Sequence, residues 1–274
     1  MTAGARSPRS DGGILRHVPT LDAPPGRSGA HPAGRLLQAA LNGDRVHAAA
    51  PRTPTELASE ARAAVDAGAR SLHLHPYDER GRQTLAAGPC AAALRAVRAA
   101  CPGVPISLST SATIEPDPEH RRALIAAWTE LPDLVTANQG EEGISDLCEL
   151  LLVRGIGIEA GLLSLADAHA FIEAGIAPRC VRAMVEPLDP EPDAAVAHQA
   201  AIEQALVDAG VMLEQVHHGD GIASWAVNRR AATRGHGIRT GLEDTPVLPD
   251  GRTASGNGEL VTTAAQLLGQ TPQA

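Results

Sequence analysis

The chain has 274 residues, 43% hydrophobic and 20% charged, enough to bury a large core as one big domain or two small ones. With 1% aromatic residues and a net charge of −9 it offers neither stacking platforms nor a cationic surface, which argues against general nucleic-acid binding. No apolar run approaches the roughly 18 residues of a membrane span. The arginine-bearing N-terminus lacks the apolar stretch of a secretory signal. Cys90, Cys101, Cys148 and Cys180 are scattered without CxxC spacing, so the sequence points to a cytosolic protein with free thiols.

Residues 1–34 are Gly, Pro, Ala, Ser and Arg without periodicity and read as a disordered tail, leaving 35–274 as a single catalytic domain. The apolar run Arg35–Leu41 ends at the turn Asn42-Gly43-Asp44. Thr53 then caps a helix that has Pro54 at its first position and stops at Gly68. A strand over Ala69–His75 and a helix over Cys90–Ala100 follow, then a strand over Val104–Ser109 and a helix over Pro118–Glu130 capped at Asp117. The alternation continues with strand Leu134–Ala137, helix Glu142–Arg154, strand Ile156–Ala160 and helix Ser164–Ala174. Strand Cys180–Val185, helix Asp193–Ala209, strand Leu213–Val216 and helix Ile222–Arg234 come next. Strand Gly237–Gly241 and the helix Gly258–Leu268, capped by Asn257 or a neighbour, complete the series.

Eight strand–helix pairs imply parallel pairing through crossover helices, and their number and spacing fit an α/β protein with a (βα)8 TIM barrel. A Rossmann-like sheet is the alternative. No GxGxxG follows the first strand, which weakens it.

A barrel gathers its chemistry at the C-terminal ends of its strands. Those ends carry Asn42 and Asp44, His73 and His75, Ser109 and Thr110, Asn138, Glu159, Glu186, His217 and His218, then Arg239, Glu243 and Asp244. His73 and His75 lie two apart on a strand and so share a face, as two ligands of a divalent metal such as zinc would. A histidine pair on a strand is more often structural than metal-binding; a third ligand is what raises the odds. Strand eight closes against strand one, beside strand two, which brings Glu243 within reach. A His2Glu set with one open position is a catalytic arrangement. Arg239 is either scaffold for a carboxylate or a fork for an anionic substrate. Asp244 is an orienter or a general base. Read alone, Glu243-Asp244 is as readily a solvated acidic turn. His217 and His218 are as readily turn histidines as pocket residues. Glu141 and Glu142 read as helix-start acids, Glu186 as a solvated loop carboxylate, and Trp225 as a core or interface residue.

Several motifs, in order, resemble the β-keto acid cleavage enzyme family, whose founding activity is 3-keto-5-aminohexanoate cleavage. They are Leu41-Asn42-Gly43-Asp44-Arg45, His73-x-His75-Pro76-x-Asp78 with Gly81, Ser109-Thr110, Pro132-Asp133 with Asn138, and Gly155 to Gly161. Arg239-Thr240-Gly241-Leu242-Glu243-Asp244, Leu248-Pro249-Asp250-Gly251 and Asn257 complete the set, and the resemblance spans residues 36–268. It implies a zinc-dependent barrel, usually a homotetramer, that acts as an acyltransferase. A β-keto acid and acetyl-CoA would give acetoacetate and a new acyl-CoA. By the same resemblance His73, His75 and Glu243 are the zinc ligands, and Glu159, Arg239 and Asp244 handle proton transfer with Asp244 as the base. Ser109 meets the substrate carboxylate, with Thr110, Asn138 and Asn42 as further pocket positions. Tyr77 stands where the family commonly has Arg, and Gly256-Asn257-Gly258 is looser than the family's segment.

Two other readings stay open from the residues. One is a different metal-dependent aldolase or hydrolase on the same barrel. The chain has no lysine, which counts against the hydrolases that bridge two metals with one. The other is a catalytically silent barrel that binds CoA or a metabolite.

Overall fold

The computed structural model describes Met1, residues 34–45 and residues 47–270. The expected tail therefore falls almost wholly outside the described residues. Within the unit His31–Ala274 the chain runs β1 (Leu37–Ala40), α1 (Pro54–Asp66), β2 (Ser71–Leu74), α2 (Ala87–Ala100), β3 (Ile106–Ser109) and α3 (Pro118–Ala126). It continues with β4 (Leu134–Asn138), α4 (Ile144–Val153), β5 (Gly157–Leu162), α5 (Leu165–Ala174), β6 (Arg182–Val185) and α6 (Pro192–Asp208). It ends with β7 (Glu214–His217), α7 (Ser224–Arg234), β8 (Gly237–Thr240) and α8 (Asn257–Leu267). All neighbouring strands pair in parallel, and β8 pairs with β1 to close the barrel. This is the (βα)8 fold that the alternation implied.

Local signals set most boundaries. Thr53 and Glu56 form a reciprocal capping box ahead of α1, and Ser164 and Asp167 do the same for α5. The Asp117 carboxylate accepts from the backbone of Glu119 and His120 at the start of α3. Several bounds shift, among them the start of α2, at Ala87 rather than Cys90, and of α7, at Ser224 rather than Ile222. Helix α3 stops at Ala126 rather than Glu130, where Trp128 turns into the core and donates its indole N–H to the Leu85 carbonyl. Helix α4 begins at Ile144, two residues late, behind Gly143 at φ 73°; a Cβ there would lie 2.7 Å from Pro118. The neighbour Gly256, rather than Asn257, precedes α8. Asn257 is the first helical residue, and its amide ties the barrel end together by accepting from Leu242 N–H and donating to the Leu41 carbonyl.

The apolar core lies between strands and helices and includes Leu57, Leu94, Ile125, Leu151, Phe171 and Leu260. Each fully buried side chain of that kind contributes about 2 kcal/mol. The inside of the barrel is unlike it. Gln38, Ser71, His73, Ser107, Thr136, Glu159, Arg182 and Arg239 are all buried there; Gln38 donates to Ser71 and Glu159, and hydrogen bonds described below join His73, Ser107, Thr136 and Glu159. No helix among the described residues is long and apolar enough to cross a membrane. All four cysteines are free and buried, and burial pushes the Cys90 and Cys180 thiols up to about 12, so neither offers a thiolate near neutrality.

Outside the barrel, Glu203 of α6 meets Arg230 and Arg234 of α7 at 2.7 and 2.8 Å, and His236 at 3.2 Å. Burial alone would raise its carboxyl. Hydrogen bonds from Arg234, His236 and Arg230 outweigh that and hold it at about 2. An unfolded glutamate titrates near about 4.3. The cluster's stabilisation is therefore complete above about pH 4.5 and fades as pH falls towards 2. Thermal melts on a pH series should show Glu203→Gln less stable than the parent at pH 7, with the gap closing between about pH 4.5 and 2.5. A gap that stays constant down to pH 2.5 would reject this account.

Candidate active site

Strand register assembles the site. Ala40 of β1 pairs with His73 of β2, and Gln38 and Ala39 pair with Arg239 and Thr240 of β8. His73 and His75 thus rise beside the turn that follows β8. That turn comes close to β1 through Gly241, where a Cβ would sit 1.9 Å from the Ala40 carbonyl oxygen. Gly43, at φ 61°, leaves room for Glu243, whose Cγ would be 2.4 Å from a Cβ at that position.

The ligand atoms of His73, His75 and Glu243 all lie within 4.8 Å of one another. His73 Nε2 is 3.6 Å from one Glu243 oxygen, His75 Nε2 is 3.4 Å from the other, and the two Nε2 atoms are 3.3 Å apart. Each ring is fixed through its other nitrogen. His75 Nδ1 donates to Gln83 Oε1 at 2.7 Å, and His73 Nδ1 lies 3.3 Å from both Ser107 Oγ and Thr136 Oγ1. Both Nε2 atoms are thereby turned to one point, the orientation that metal-bound histidines receive from such partners. Glu243 Oε2 is buried and has no hydrogen-bond partner among the described residues. Burial chiefly pulls His73 down to about 3, so its imidazole is neutral. At His75 burial is outweighed by Glu243 and its hydrogen bond, and the ring lies above its ordinary value. A divalent cation set between His75 and Glu243 would compete with protonation of that ring. The donor set fits a His2Glu metal site.

Under His73 the polar column continues. Glu159 is wholly buried and accepts from Ser107 Oγ, from Thr136 Oγ1 at 3.1 Å and from Gln38 Nε2 at 2.8 Å, with Arg182 at 3.7 Å. Burial would raise its carboxyl, but Arg182, Ser107 and His73 hold it low. Glu159 therefore acts on His73 through two hydroxyls rather than facing the pocket itself.

Beside the ligands Arg239, buried and held protonated by its acidic neighbours, donates to Glu243 Oε1 at 2.8 Å and to Asp244 Oδ1 at 2.7 Å. Burial opposes the Asp244 carboxylate, yet Arg239 and His218 keep it below its ordinary value. Ser109 and Thr110 are buried at the end of β3, and Thr110 donates to the Thr136 carbonyl. Asn138 lies at the end of β4 with its amide N–H on Glu141. Asn42 is spent on bracing: its amide donates to the Pro51 and His75 carbonyls and accepts from His75 N–H.

Some expectations change. Glu186 is half-buried rather than a free loop carboxylate: its side chain keeps 22% exposure, it sits 3.6 Å from His218, and burial raises its carboxyl. The histidine pair divides. His218 is buried beside Asp244 at 3.4 Å, whereas His217 turns outward, bonded to Gln199 and Gln215 and stacked on His236. Glu141 accepts from Asn138 and from Ala112 N–H ahead of α4 instead of starting the helix. Trp225 is buried and donates to the Val247 carbonyl. Tyr77 donates to the Gly43 carbonyl and lies 4.3 Å under the Arg52 guanidinium. Gln38, Gln83, Ser107, Thr136 and Arg182 were missed. For Gln38, Ser107, Thr136 and Arg182 the signal was polar residues at every second strand position, where a barrel interior is usually apolar; Gln83 lies in the loop after β2 and carried none.

Residues 36–210 and 190–272 match the family model described as beta-keto acid cleavage enzyme. The chain belongs to this family. Among solved structures it is similar to the tryptophan synthase alpha chain from Legionella pneumophila subsp. pneumophila (14% identity, 86% of this chain and 92% of that one, TM-score 0.54). It is also similar to the 3-dehydroquinate dehydratase from Aquifex aeolicus VF5 (13%, 85% and 96%, 0.53). A third is the thiamine phosphate pyrophosphorylase from Pyrococcus furiosus (13%, 85% and 95%, 0.51). At such identities these show the barrel alone. For a beta-keto acid cleavage enzyme the ring of His73, His75 and Glu243 is the natural place for a metal.

Elemental analysis after dialysis should find the Glu243→Ala protein stripped of divalent metal. Gly43→Ala, which pushes Glu243 aside, should weaken metal binding about 10- to 100-fold. Full occupancy in Glu243→Ala would remove Glu243 from the ligand set.

Proposed function

We propose that this beta-keto acid cleavage enzyme is a zinc-dependent acyltransferase that converts a β-keto acid and acetyl-CoA into acetoacetate and a new acyl-CoA. The observation that carries the reading is the adjacency, across one peptide bond, of a metal-ligand carboxylate, Glu243, and a second carboxylate, Asp244, clamped by Arg239. Two oxygens of the substrate, ketone and carboxylate, need neutralising while a proton is removed from the carbon between them. The chain contains no lysine, so the ketone cannot be activated as an imine. Zinc held by His73, His75 and Glu243 would supply the Lewis acid for those oxygens.

Asp244 takes a proton from the carbon between the two carbonyl groups. The resulting carbanion attacks the acetyl thioester carbonyl, a carbon–carbon bond forms, and CoA leaves as a thiolate. The thiolate attacks the original ketone carbon. The bond from that carbon to the acetoacetate fragment breaks, acyl-CoA departs, and Asp244 returns its proton to acetoacetate. No electrons are lost or gained. Arg239 keeps Asp244 ionised and fixed, and Glu159 holds His73 through Ser107 and Thr136. Ser109, Thr110 and Asn138 line the β3–β4 side on which the substrate carboxylate would rest, and Asn42 supports the His75 loop. Family membership supports a cytosolic homotetramer, and the exposed side chains of Val153, Val207 and Met212 offer apolar surface for subunit contact.

The test is mass-spectrometric: zinc-loaded protein with a panel of β-keto acids, with and without acetyl-CoA. Acetoacetate and a new acyl-CoA should appear together and only with acetyl-CoA, and Asp244→Asn should keep its zinc while turnover falls at least about 100-fold. Cleavage or hydrolysis without acetyl-CoA would replace this reading with another metal-dependent aldolase or hydrolase. Bound zinc without turnover across the panel would favour a silent binding barrel.

A further inference from the structure

His218 is the one buried histidine of the site that the reaction above does not use. Its side chain is 1% exposed, and neither ring nitrogen has a hydrogen-bond partner among the described residues. Nδ1 lies 3.4 Å from Asp244 Oδ1, and Nε2 lies 3.6 Å from Glu186 Oε2. A ring between two carboxylates is attracted to both only if the Glu186–His218 pair carries two protons. Either the ring is an imidazolium, or it bears one proton on Nδ1 while Glu186 is protonated and donates to Nε2. In both cases Nδ1 bears a hydrogen on the side of Asp244, 3.4 Å from Oδ1, a contact that a small rotation of the ring would close into a hydrogen bond. The reverse tautomer would set a lone pair against Oδ1, an oxygen that already accepts from Arg239. The raised carboxyl of Glu186 agrees with this count.

Asp244 is gripped unevenly. Its Oδ1 receives Arg239 from two nitrogens, at 2.7 and 3.2 Å, and His218 lies on the same oxygen, whereas Oδ2 has a single 3.3 Å contact from Arg239 Nε. We propose that His218 is a positioning residue: donating from Nδ1 to Asp244 Oδ1, and fixed from behind by Glu186, it leaves Oδ2 as the oxygen presented to the substrate. The inference rests on Asp244 being the base of the reaction proposed above. It adds a member from β7 and one from β6 to a site otherwise built from β1 to β5 and β8.

The test has a kinetic arm and an arm that needs no turnover. With metal content unchanged, His218→Leu should lower kcat between about 10- and 100-fold, the range expected for one hydrogen bond to a charged group, while KM stays within about threefold. His218→Asn, whose amide can still donate to Oδ1, should recover part of that loss. Glu186→Leu should lower kcat more than Glu186→Gln, whose amide can still donate to Nε2; this pair keeps the inference testable if His218→Leu does not fold. A kcat in His218→Leu within about threefold of the parent, or equal losses for Leu and Asn, would overturn it. Nitrogen-15 spectra of the zinc-loaded protein, assigned with His218→Asn, should show a proton on Nδ1 of His218. A bare Nδ1 would overturn the clamp even in a fully active enzyme. A parent protein that turns over no β-keto acid would strike the functional reading instead, and the ring spectrum would still decide the clamp.

Discussion

Arg239 is the constraint on which the site depends. It is a buried cation at the end of β8, and it holds two carboxylates that follow one another in sequence. Two adjacent acids in a buried pocket repel each other and favour protonation of one; a guanidinium between them makes both stable as anions. Because the fork is planar and rigid, it also sets the distance between them. One carboxylate can then turn to the histidines and the other to the opposite wall. Nothing about Glu243 or Asp244 taken alone would give them different surroundings. The shared cation, and a tight turn that carries the two side chains apart, set Glu243 against His73 and His75 and Asp244 against His218.

The barrel supplies the rest by register. Parallel pairing of β8, β1 and β2 puts Arg239, Gln38 and Ser71 at one level and Ala40 with His73 at the next. The small Ala40 and the absent side chain of Gly241 let the turn lie against β1, so Glu243 reaches across to β2. The polar column below, from His73 through Ser107 and Thr136 to Glu159 and Arg182, forgoes apolar packing inside the barrel. The cost is met outside, in the continuous layer between strands and helices. A half-satisfied column would be worse than an apolar one, because each unpaired buried group costs the full desolvation of that group. Glu159 is satisfied by three donors, whereas Gln38 Oε1 and Arg182 Nε and Nη1 have no hydrogen-bond partner among the described residues, so the column still carries an uncompensated cost.

Much of this was legible in the sequence because it is local or periodic. Caps at Thr53 and Asp117, glycine stops and an eightfold alternation announce a (βα)8 barrel, and strand ends announce where its chemistry lies. His73, His75 and Glu243 could be joined because closure of β8 on β1 is a property of the fold rather than of side chains. What could not be read is which side of a strand end a residue takes. His217 and His218 differ by one position, and parity decides between an outer packing role and the pocket. Glu186 follows the apolar end of β6, and only the neighbouring His218 on β7, more than 30 positions away, shows that it faces inward. Asn42 looked like a pocket residue from its place, but a brace between two loops needs the same polar amide at the same position.

The division between β8 and the β6–β7 wall bears on how such a site keeps two jobs apart. In the proposed reaction, metal ligation asks Glu243 for a fixed, ionised carboxylate, and proton removal asks Asp244 for one free oxygen at a set angle. Both demands fall on neighbouring residues, so a shift in one backbone position would disturb both. The structure relieves this by anchoring each acid from a different side, Glu243 against β2 and the loop at Gly43, Asp244 against His218. Arg239 is common to both carboxylates, and Arg45 donates to both backbone carbonyls. Tyr77 stands outside this arrangement: it lies under Arg52 and donates to the carbonyl of Gly43, the residue whose missing side chain makes room for Glu243.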